Sequence, residues 1–346
     1  MEQIGMDVHK NESQICRLTE QGEILEQRIL TRRERFAAVL GKMPRARILL
    51  EASTESEWVA RCLEELGHEV IVADPNFAPM YATRSRRVKT DRRDAQALMD
   101  ACRLGAYRPV HRTSEPQRRV RALLTARDNL VRTRVRQIQV MRALLRREGP
   151  RIRSGQTASF GERLAAVELP DWLGSIVAPL RAAMDEGNRQ LVRVNRAIQQ
   201  IVRGDPVVQR LCTAPGIGPV MATAFVSTLD QVERFSSAHQ VEAYVGLVPC
   251  EFSSGERQQR GGLTKAGNTR LRWLLVEAAW SILRSRSSST EGLRQWAERL
   301  ALRRGRRIAV VALARRLAGI LYAMWRDGTE FGRGVERRRA SQSAVA

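Results

Sequence analysis

The chain has 346 residues, of which 59 are Lys or Arg and 37 are Asp or Glu, so its formal net charge is +22. This length predicts two or more domains, and 43% hydrophobic residues suffice for buried cores, which excludes a disordered protein. Arginine dominates the excess, and its planar fork suits bidentate contacts with phosphate. The composition therefore indicates a nucleic-acid partner rather than a merely basic soluble protein.

The five cysteines and four histidines do not indicate a structural metal or disulfide framework, because they show neither C-x-x-C pairs nor metal-finger spacing. A reducing cytoplasm fits this pattern. We find no secretory leader and no run approaching the roughly 20 apolar residues of a membrane span, so the sequence predicts no membrane insertion.

The first 74 residues carry strand patterns that alternate with helical ones. The pattern is β-like from residue 3, over 13–18 and over 24–30, which predicts β-runs joined by a short loop containing glycine, with Asp7 on the first run. A charged helical segment follows, then a strand over 46–50 leading into Glu51, a helix over about 55–66 and a strand ending at Asp74. A hairpin followed by strand, helix and strand predicts a mixed α/β domain with one sheet.

A basic loop over 84–93, R-S-R-R-V-K-T-D-R-R, runs into a helical pattern. Asp91 and Asp94 fall on the first turn of that helix. Clustered cationic side chains attract phosphate, so we expect nucleic-acid contacts from this loop. The residues concerned are Arg84, Arg86, Arg87 and Lys89.

Two long helical patterns, over 116–147 and 180–202, have apolar residues at threes, fours and sevens, and the first is rich in arginine. They predict a helical hairpin or coiled-coil insert that ends at residues 204–206. Packing within one chain and pairing between subunits agree equally well with such stripes. The remainder to about residue 328 is mainly helical, with amphipathic stretches over 273–283 and 308–325, and an Arg- and Ser-rich tail after Phe331 is predicted to be disordered.

Four acids in so basic a chain indicate metal-dependent chemistry on phosphates: Asp7, Glu51, Asp91 and Asp94. Two Mg²⁺ ions about 4 Å apart activate a nucleophilic oxygen and stabilise the leaving one, and they require several convergent carboxylates. Adjacent strands can bring Asp7 close to Glu51, and the i, i+3 spacing puts Asp91 and Asp94 on one helix face. The alternative is that Asp91 caps the helix and Asp94 only favours its dipole.

Three segments around these acids resemble a known family. They are I-G-M-D-V-H-K at 4–10, L-L-E-A-S at 49–53 and, most specifically, K-T-D-R-R-D-A at 89–95. In order and spacing they resemble the D-E-D-D set of the insertion-sequence 110 family of transposases, whose first domain is similar to RuvC and ribonuclease H. The resemblance implies that the four acids are catalytic metal ligands.

The segment L-C-T-A-P-G-I-G-P at 211–219 resembles a helix-hairpin-helix. In such a hairpin, glycines at positions equivalent to Gly216 and Gly218 let backbone N–H groups approach a phosphate at a helix start. The alternative is a tight turn between two helices.

The segment F-S-S-G at 252–255, followed by L-T-K-A-G-N-T-R-L-R at 263–272, resembles the second domain of the same transposases, where a serine before glycine acts on DNA. Ser254 is the matching position, and Ser253 is a possible substitute. A serine hydroxyl needs a base and nearby cations to attack a phosphodiester. By pattern alone the serines predict a flexible loop. The expected nucleic-acid contacts here are Lys265, Asn268, Arg270 and Arg272.

The resemblance extends from Asp7 to about Tyr322 and implies the whole domain organisation. The implied fold is an α/β RuvC/ribonuclease H-like N-terminal domain, an α-helical coiled-coil insert and a mainly α C-terminal domain with a helix-hairpin-helix. The expected boundaries are 1–115 for the catalytic domain, 116–205 for the coiled-coil region, 206–328 for the transposase domain with the serine, and 329–346 for a disordered basic tail.

The resemblance also implies a mechanism and its partners. The acids and Ser254 would form a composite site between subunits, in which the serine makes a covalent phosphoserine link and joins donor DNA to target DNA. A guide (bridge) RNA encoded by the element would pair with both DNAs and supply the choice of sequence. The implied assembly is a homodimer or tetramer in the bacterial cytoplasm, associated with the nucleoid.

Two other functions remain open on the residues. A metal-dependent RuvC-like endonuclease for branched DNA needs the four acids and makes Ser254 irrelevant. A non-catalytic nucleic-acid scaffold needs only the hairpin and the arginine-rich helices.

Overall fold

The computed structural model describes residues 1–82, 90–254 and 259–332. Contacts divide the chain into two units, Met1–Arg112 and Thr113–Ala346. Each unit has its own hydrophobic core. The tail predicted to be disordered lies outside the described residues from position 333 onward.

Among residues 1–82 and 90–112, strands and helices form one mixed sheet with helices on both faces. The strands are β1 (Gln3–Val8), β2 (Glu12–Leu18), β3 (Ile24–Leu30), β4 (Arg47–Glu51) and β5 (Glu69–Ala73), and the helices are α1 (Arg33–Leu40), α2 (Ser56–Glu65) and α3 (Asp91–Leu104). The sheet order is β3-β2-β1-β4-β5. β1 is antiparallel to β2 and parallel to β4, which is parallel to β5. The predicted mixed α/β domain with one sheet is confirmed.

The two faces of the sheet have different partners because successive residues of a strand point to opposite sides. The residues of β1 that join the core with α1 and α2 are Ile4, Met6 and Val8. Gly5 and Asp7 alternate with them and therefore point to the other face, which α3 covers. Ala95 and Met99 of α3 are buried there against Cys16 of β2.

Gly5 allows α3 to dock against β1 at backbone distance. A Cβ atom on Gly5 would lie 2.1 Å from the amide nitrogen of Met99 and 2.2 Å from the carbonyl oxygen of Ala95. Any side chain would therefore push the helix away from the strand. The absence of a Cβ at this one position sets how close α3 comes to the sheet.

The described part of the second unit is mainly helical. Its helices are α4 (Glu115–Arg147), α5 (Phe160–Ala165), α6 (Asp171–Gly204), α7 (Pro206–Leu211), α8 (Pro219–Leu229), α9 (Ala238–Tyr244), α10 (Thr269–Arg284), α11 (Glu291–Arg304) and α12 (Arg306–Arg326). A short antiparallel pair, β6 (Pro249–Glu251) and β7 (Arg260–Leu263), interrupts them. The sequence did not predict this pair, because strands of three and four residues are too short for a period-2 pattern to show.

α4 and α6 form a helical hairpin within the chain. Leu145 near the end of α4 shares a core with Leu173 near the start of α6, and Leu124 near the start of α4 packs with Ile198 near the end of α6. Intrachain packing therefore occupies one stripe of each helix, whereas pairing between subunits stays a prediction.

α6, the second helix of this hairpin, begins at Asp171 and not at the predicted residue 180. It continues through Pro179 without a break. Buried Leu173 and Val177 on one side of the proline, and Met184 on the other, pack against α4 and α5 and hold the segment helical.

α12 contradicts the expectation that no segment is long and apolar enough to cross a membrane. Its 21 residues are long and apolar enough to span a membrane, although the sequence was expected to contain no such segment. Half of its most apolar window is buried inside the unit, where Leu313, Leu317 and Leu321 contribute to the core shared with α8 and α10. A buried core helix passes the same length test, so α12 is weak grounds for a membrane span.

Gly5→Ala should destabilise the protein by about 1–3 kcal/mol, because the added methyl group overpacks a contact between two backbones. Urea unfolding followed by circular dichroism measures this. Gly187→Ala is the control, since Gly187 lies inside α6 with no atom within 4 Å of an added Cβ. That change should be neutral or stabilise by up to about 1 kcal/mol. Equal destabilisation by both substitutions would contradict the packing role of Gly5.

Candidate active site

Asp7 and Glu51 lie on neighbouring parallel strands. The register pairs Met6 of β1 with Leu50 of β4, so the next residues, Asp7 and Glu51, are adjacent at the ends of these strands. Met6 and Leu50 point into the core with α1 and α2. By alternation, the two carboxylates point to the face that α3 covers, as the sequence predicted for adjacent strands.

Asp91 and Asp94 lie on the first turn of α3, which confirms their predicted place. Thr90 is the N-cap, and its side chain accepts a hydrogen bond from the backbone nitrogen of Arg93 at 3.3 Å. Asp91 is therefore the first helical residue and not the cap. Asp94 is only 5% exposed. A residue that only stabilises the helix dipole can remain in solvent, so the dipole does not explain this burial.

The four acids share one electrostatic environment. Burial raises the pKa of the Asp7 carboxyl above its ordinary value; His9 lowers it, while Asp94, Asp91 and Glu51 raise it. Each of the other three acids is thus close enough to oppose ionisation of Asp7. A site that concentrates negative charge in this way is suited to a multivalent cation.

His9 is a member of this cluster that the sequence interpretation missed. Its Nε2 lies 3.3 Å from Oδ2 of Asp7 and 3.4 Å from Oδ1 of Asp91. Possible ligand atoms of these three residues all lie within 4.8 Å of one another. The signal was the D-x-H spacing in I-G-M-D-V-H-K, since residues two apart along an extended segment point to the same side.

Tyr81 holds Glu51 through a side-chain hydrogen bond. It ends the short 3₁₀ helix Ala78–Tyr81 that follows β5. Its hydroxyl donates a hydrogen bond to Oε2 of Glu51. Partners of this kind orient ligating carboxylates and fix the direction of their lone pairs.

Tyr81→Phe should weaken divalent-metal binding by about 10- to 100-fold, because Glu51 loses the donor that orients it. Isothermal titration with Mn²⁺ measures the affinity directly. Tyr107→Phe is the control, since Tyr107 packs in the adjacent core with Leu49 and Leu98 and leaves Glu51 unchanged. Unaltered Mn²⁺ affinity in Tyr81→Phe would show that this hydrogen bond does not serve the acid cluster.

The two predicted hairpin glycines lie in the turn between α7 and α8. Gly216 has φ +76°, and Gly218 directly precedes the first residue of α8. A Cβ on Gly216 would lie 2.9 Å from a side-chain carbon of Ile282 in α10. The tight turn therefore explains Gly216 without a ligand. Both glycines are exposed, so their phosphate contact stays a prediction.

Three of the four residues predicted to contact nucleic acid around α10 are engaged within the chain. Asn268 caps α10 by accepting from the backbone nitrogen of Leu271 at 2.9 Å. Arg270 donates to Oδ1 of Asp128 at 2.9 Å and to the carbonyl of Leu124 at 2.6 Å. Arg272 donates to two backbone carbonyls, those of Val245 at 2.9 Å and Ala266 at 3.0 Å. Lys265 is exposed.

Ser254 is an exposed residue after β6, in the connection to β7. The neighbouring Ser253 is already engaged: its hydroxyl donates to Oε1 of Glu251 at 2.8 Å and accepts from the backbone nitrogen of Gln259 at 3.3 Å. The acids belong to the first unit and Ser254 to the second. The predicted phosphate contacts of the basic loop, Arg84, Arg86, Arg87 and Lys89, lie outside the described residues.

Comparison with known proteins identifies the family. Residues 4–150 match the model of DEDD transposases named for IS110, and residues 208–293 match the model described as the transposase family IS116/IS110/IS902. A probable family 20 transposase of Pseudomonas aeruginosa is 31% identical over 94% of this chain and 96% of the relative.

Two further relatives are named for insertion sequences. The transposase of element IS1111A from Coxiella burnetii is 27% identical over 93% of this chain and 88% of its own length. The transposase of element IS1328 from Yersinia enterocolitica is 28% identical over 95% and 98%, respectively. The two family matches and these relatives together show that the chain belongs to the IS110/IS116/IS902 family of transposases.

Proposed function

We propose that this transposase joins donor DNA to target DNA with its four carboxylates and Ser254 acting in the same reaction. The observation that carries the proposal is the convergence of Asp7, Glu51, Asp91 and Asp94 on one face of the sheet. The family matches support DNA as the substrate. The net charge of +22 supports extensive phosphate contacts.

The cluster fits Mg²⁺ by its donors. Apart from the imidazole of His9, the side chains offer carboxylate oxygens, which are the ligands that Mg²⁺ prefers. Burial, and to a smaller extent the neighbouring acids, raise the pKa of Asp7, and a bound divalent cation would offset both costs of its negative charge. Bound to these residues, Mg²⁺ would polarise a phosphodiester and stabilise charge on the leaving oxygen. The chain itself supplies the ligands and orients Glu51 through Tyr81.

Ser254 supplies the nucleophile in this proposal. Its Oγ forms a bond to the phosphorus of one DNA strand, while the bond from that phosphorus to a deoxyribose oxygen breaks. The serine gives its proton to a base, and the departing oxygen gains one. A hydroxyl of the second DNA then attacks the phosphoserine, which restores Ser254 and joins the two DNAs. The exposure of Ser254 supports this role.

We also propose that an element-encoded guide RNA selects the two DNAs and that the protein works as a homodimer or tetramer in the bacterial cytoplasm. The exposed arginines of α4 support RNA contact, because A-form helices are bound largely through their backbones. The turn at Gly216 and Gly218 serves as a helix-hairpin-helix that holds a phosphate, and the α4 and α6 hairpin provides the coiled-coil contact.

A gel assay with labelled donor and target DNA tests the proposal. With Mg²⁺ and the element's flanking RNA present, wild-type protein should give a protease-sensitive, slowly migrating protein–DNA adduct. Omission of either Mg²⁺ or the RNA should remove the adduct. Light scattering of the same mixture should show at least a dimer.

Metal-dependent cleavage without an adduct would contradict the serine mechanism and would instead support the branched-DNA endonuclease. DNA binding without cleavage or adduct would support the scaffold function.

A further inference from the structure

A groove with a volume of about 930 Å³ lies between α4 and the start of α10, within the second unit. Its lining residues on α4 recur at intervals of three and four and so form one helix face. They are Asp128, Val131, Arg132, Val135, Arg136 and Gln139. The other wall consists of Thr269, Arg270 and Trp273. This volume falls within the range of small-ligand sites, roughly 300–1,000 Å³.

Trp273 is the unusual residue of this groove. Its side chain is 54% exposed, although Leu271 and Leu275 on either side of it in α10 are fully buried. Val135 across the groove is 40% exposed. Tryptophan is normally buried for most of its surface. An indole ring held on a packed helix and left uncovered in a groove is suited to stacking against a flat ligand.

The groove carries an excess of positive charge. Asp128 is paired with Arg270 at 2.9 Å, so it does not neutralise other cations. Burial lowers the pKa of the Arg270 guanidinium, and Arg127 and Arg132 lower it further against the effect of Asp128. Arg132 and Arg136 are exposed, and within the described residues neither forms an ion pair. Two uncompensated guanidinium groups therefore lie beside an exposed indole.

We propose that this groove binds unpaired nucleotides of a nucleic-acid strand, with a base stacked on Trp273 and its flanking phosphates contacted by Arg132 and Arg136. The bases of a duplex are stacked on one another and do not present a face to the indole, whereas an unpaired base does. Arg270 is a positioning residue, because its contacts with Asp128 and Leu124 fix the start of α10 to α4.

Charge argues against a second copy of this chain as the occupant. The chain carries a net charge of +22, and a copy would bring further positive charge to the two uncompensated arginines. A polyanion gains from the same charges by releasing counterions. This assignment rests on the nucleic-acid binding in the proposed function, but not on the serine chemistry.

Fluorescence anisotropy of the full-length protein tests the groove with labelled oligothymidylate and oligouridylate of about 15 nucleotides, the upper site size of one single-strand-binding fold. A duplex of the same length is the third probe. Trp273→Ala should weaken binding of a single strand by about tenfold, since one stacked base contributes about 1–3 kcal/mol. Trp273→Phe should retain most of the affinity, and duplex binding should change less than twofold. The single strand that binds with the higher affinity shows whether the groove binds DNA or RNA.

Matched controls separate stacking and charge from general effects. Trp172→Ala removes an equally exposed tryptophan, 53% against 54%, at the start of α6 and away from the groove. Arg146→Gln/Arg147→Gln removes two charges from α4 outside the groove. For single-strand binding, the slope of log affinity against log salt concentration should become shallower by about 1.4 in Arg132→Gln/Arg136→Gln. The change should be smaller for the control pair.

Equal losses in Trp273→Ala and Trp172→Ala would overturn the groove assignment. A dimer that dissociates in Trp273→Ala, with single-strand binding unchanged, would overturn it as well and would assign the face to a second copy. If wild-type protein binds none of the three probes, the nucleic-acid function itself fails. If wild-type protein forms the covalent adduct but Trp273→Ala and Trp172→Ala lose the same single-strand affinity, only the groove proposal fails and the proposed function stands.

Discussion

Ser254→Ala should abolish the covalent protein–DNA adduct and strand joining while the protein remains folded and binds DNA. The substitution removes the one oxygen that would bond to phosphorus, and neither the metal ligands nor the phosphate contacts can replace it. Because Ser254 is exposed, its loss should change the melting temperature little. The adduct gel, quantified beside a DNA-binding titration, separates chemistry from binding.

Ser253→Ala is the matched control for this experiment. The Ser253 hydroxyl is occupied by Glu251 and by the backbone nitrogen of Gln259, so the adduct should persist, although its amount should decrease if these contacts order the loop. An adduct in Ser254→Ala that disappears only in the double variant would transfer the nucleophile to Ser253. Full strand joining by Ser254→Ala would remove the covalent-serine mechanism.

Asp7→Asn should lower DNA cleavage by more than about 100-fold and yet stabilise the metal-free protein. Even residues that only support a metal ligand typically contribute 10- to 100-fold, so a direct ligand should exceed this range. The pKa of Asp7 is raised in the folded state. Folding therefore favours the protonated form, and the resulting stability is lost as pH rises through the folded pKa. At neutral pH the ionised carboxylate destabilises the fold, and the neutral amide removes this cost.

Thermal unfolding with EDTA and with Mg²⁺, at neutral and at acidic pH, measures both effects. The Asp7→Asn variant should exceed wild type in melting temperature at pH 7 with EDTA. The difference should shrink as pH falls through the raised pKa of Asp7 and should be lost below about pH 4, where an ordinary aspartate is protonated. Mg²⁺ should stabilise wild type more than the variant, because a ligand stabilises the state that binds it. Asp100→Asn, on α3 but outside the acid cluster, is the control and should respond to Mg²⁺ like wild type. A metal-free Asp7→Asn protein less stable than wild type would contradict the expected cost of the ionised Asp7 carboxylate.

The sequence predicted the sheet and its acids because both depend on local patterns. The period-2 pattern of β1 and β4 places Asp7 and Glu51 on the same face once the strands are parallel neighbours. The first turn of α3 follows from the polar K-T-D-R-R-D-A segment and its change to helical spacing. Such periodicities need no knowledge of distant contacts.

Other parts of the site depend on tertiary contacts that a linear pattern does not contain. Tyr81 reaches Glu51 across 30 positions of sequence. The segment L-T-K-A-G-N-T-R-L-R predicts that Arg270 binds phosphate. Its partners in the structure are instead Asp128 and the carbonyl of Leu124, both on α4. The apolar spacing places Trp273 on an amphipathic helix, and only the packing of α10 against α4 shows that its ring is uncovered.

The close docking of α3 on Gly5 determines when, during synthesis, the four carboxylates of the cluster can come together. The sheet is complete at Ala73, the last residue of β5, but Asp91 and Asp94 are translated later, on α3. A nascent chain that has emerged only through β5 can therefore build the sheet with half of its carboxylates. The set of four carboxylates would be complete only when α3 has left the ribosome and docked against Gly5, so metal binding at this cluster would arise later than the sheet itself.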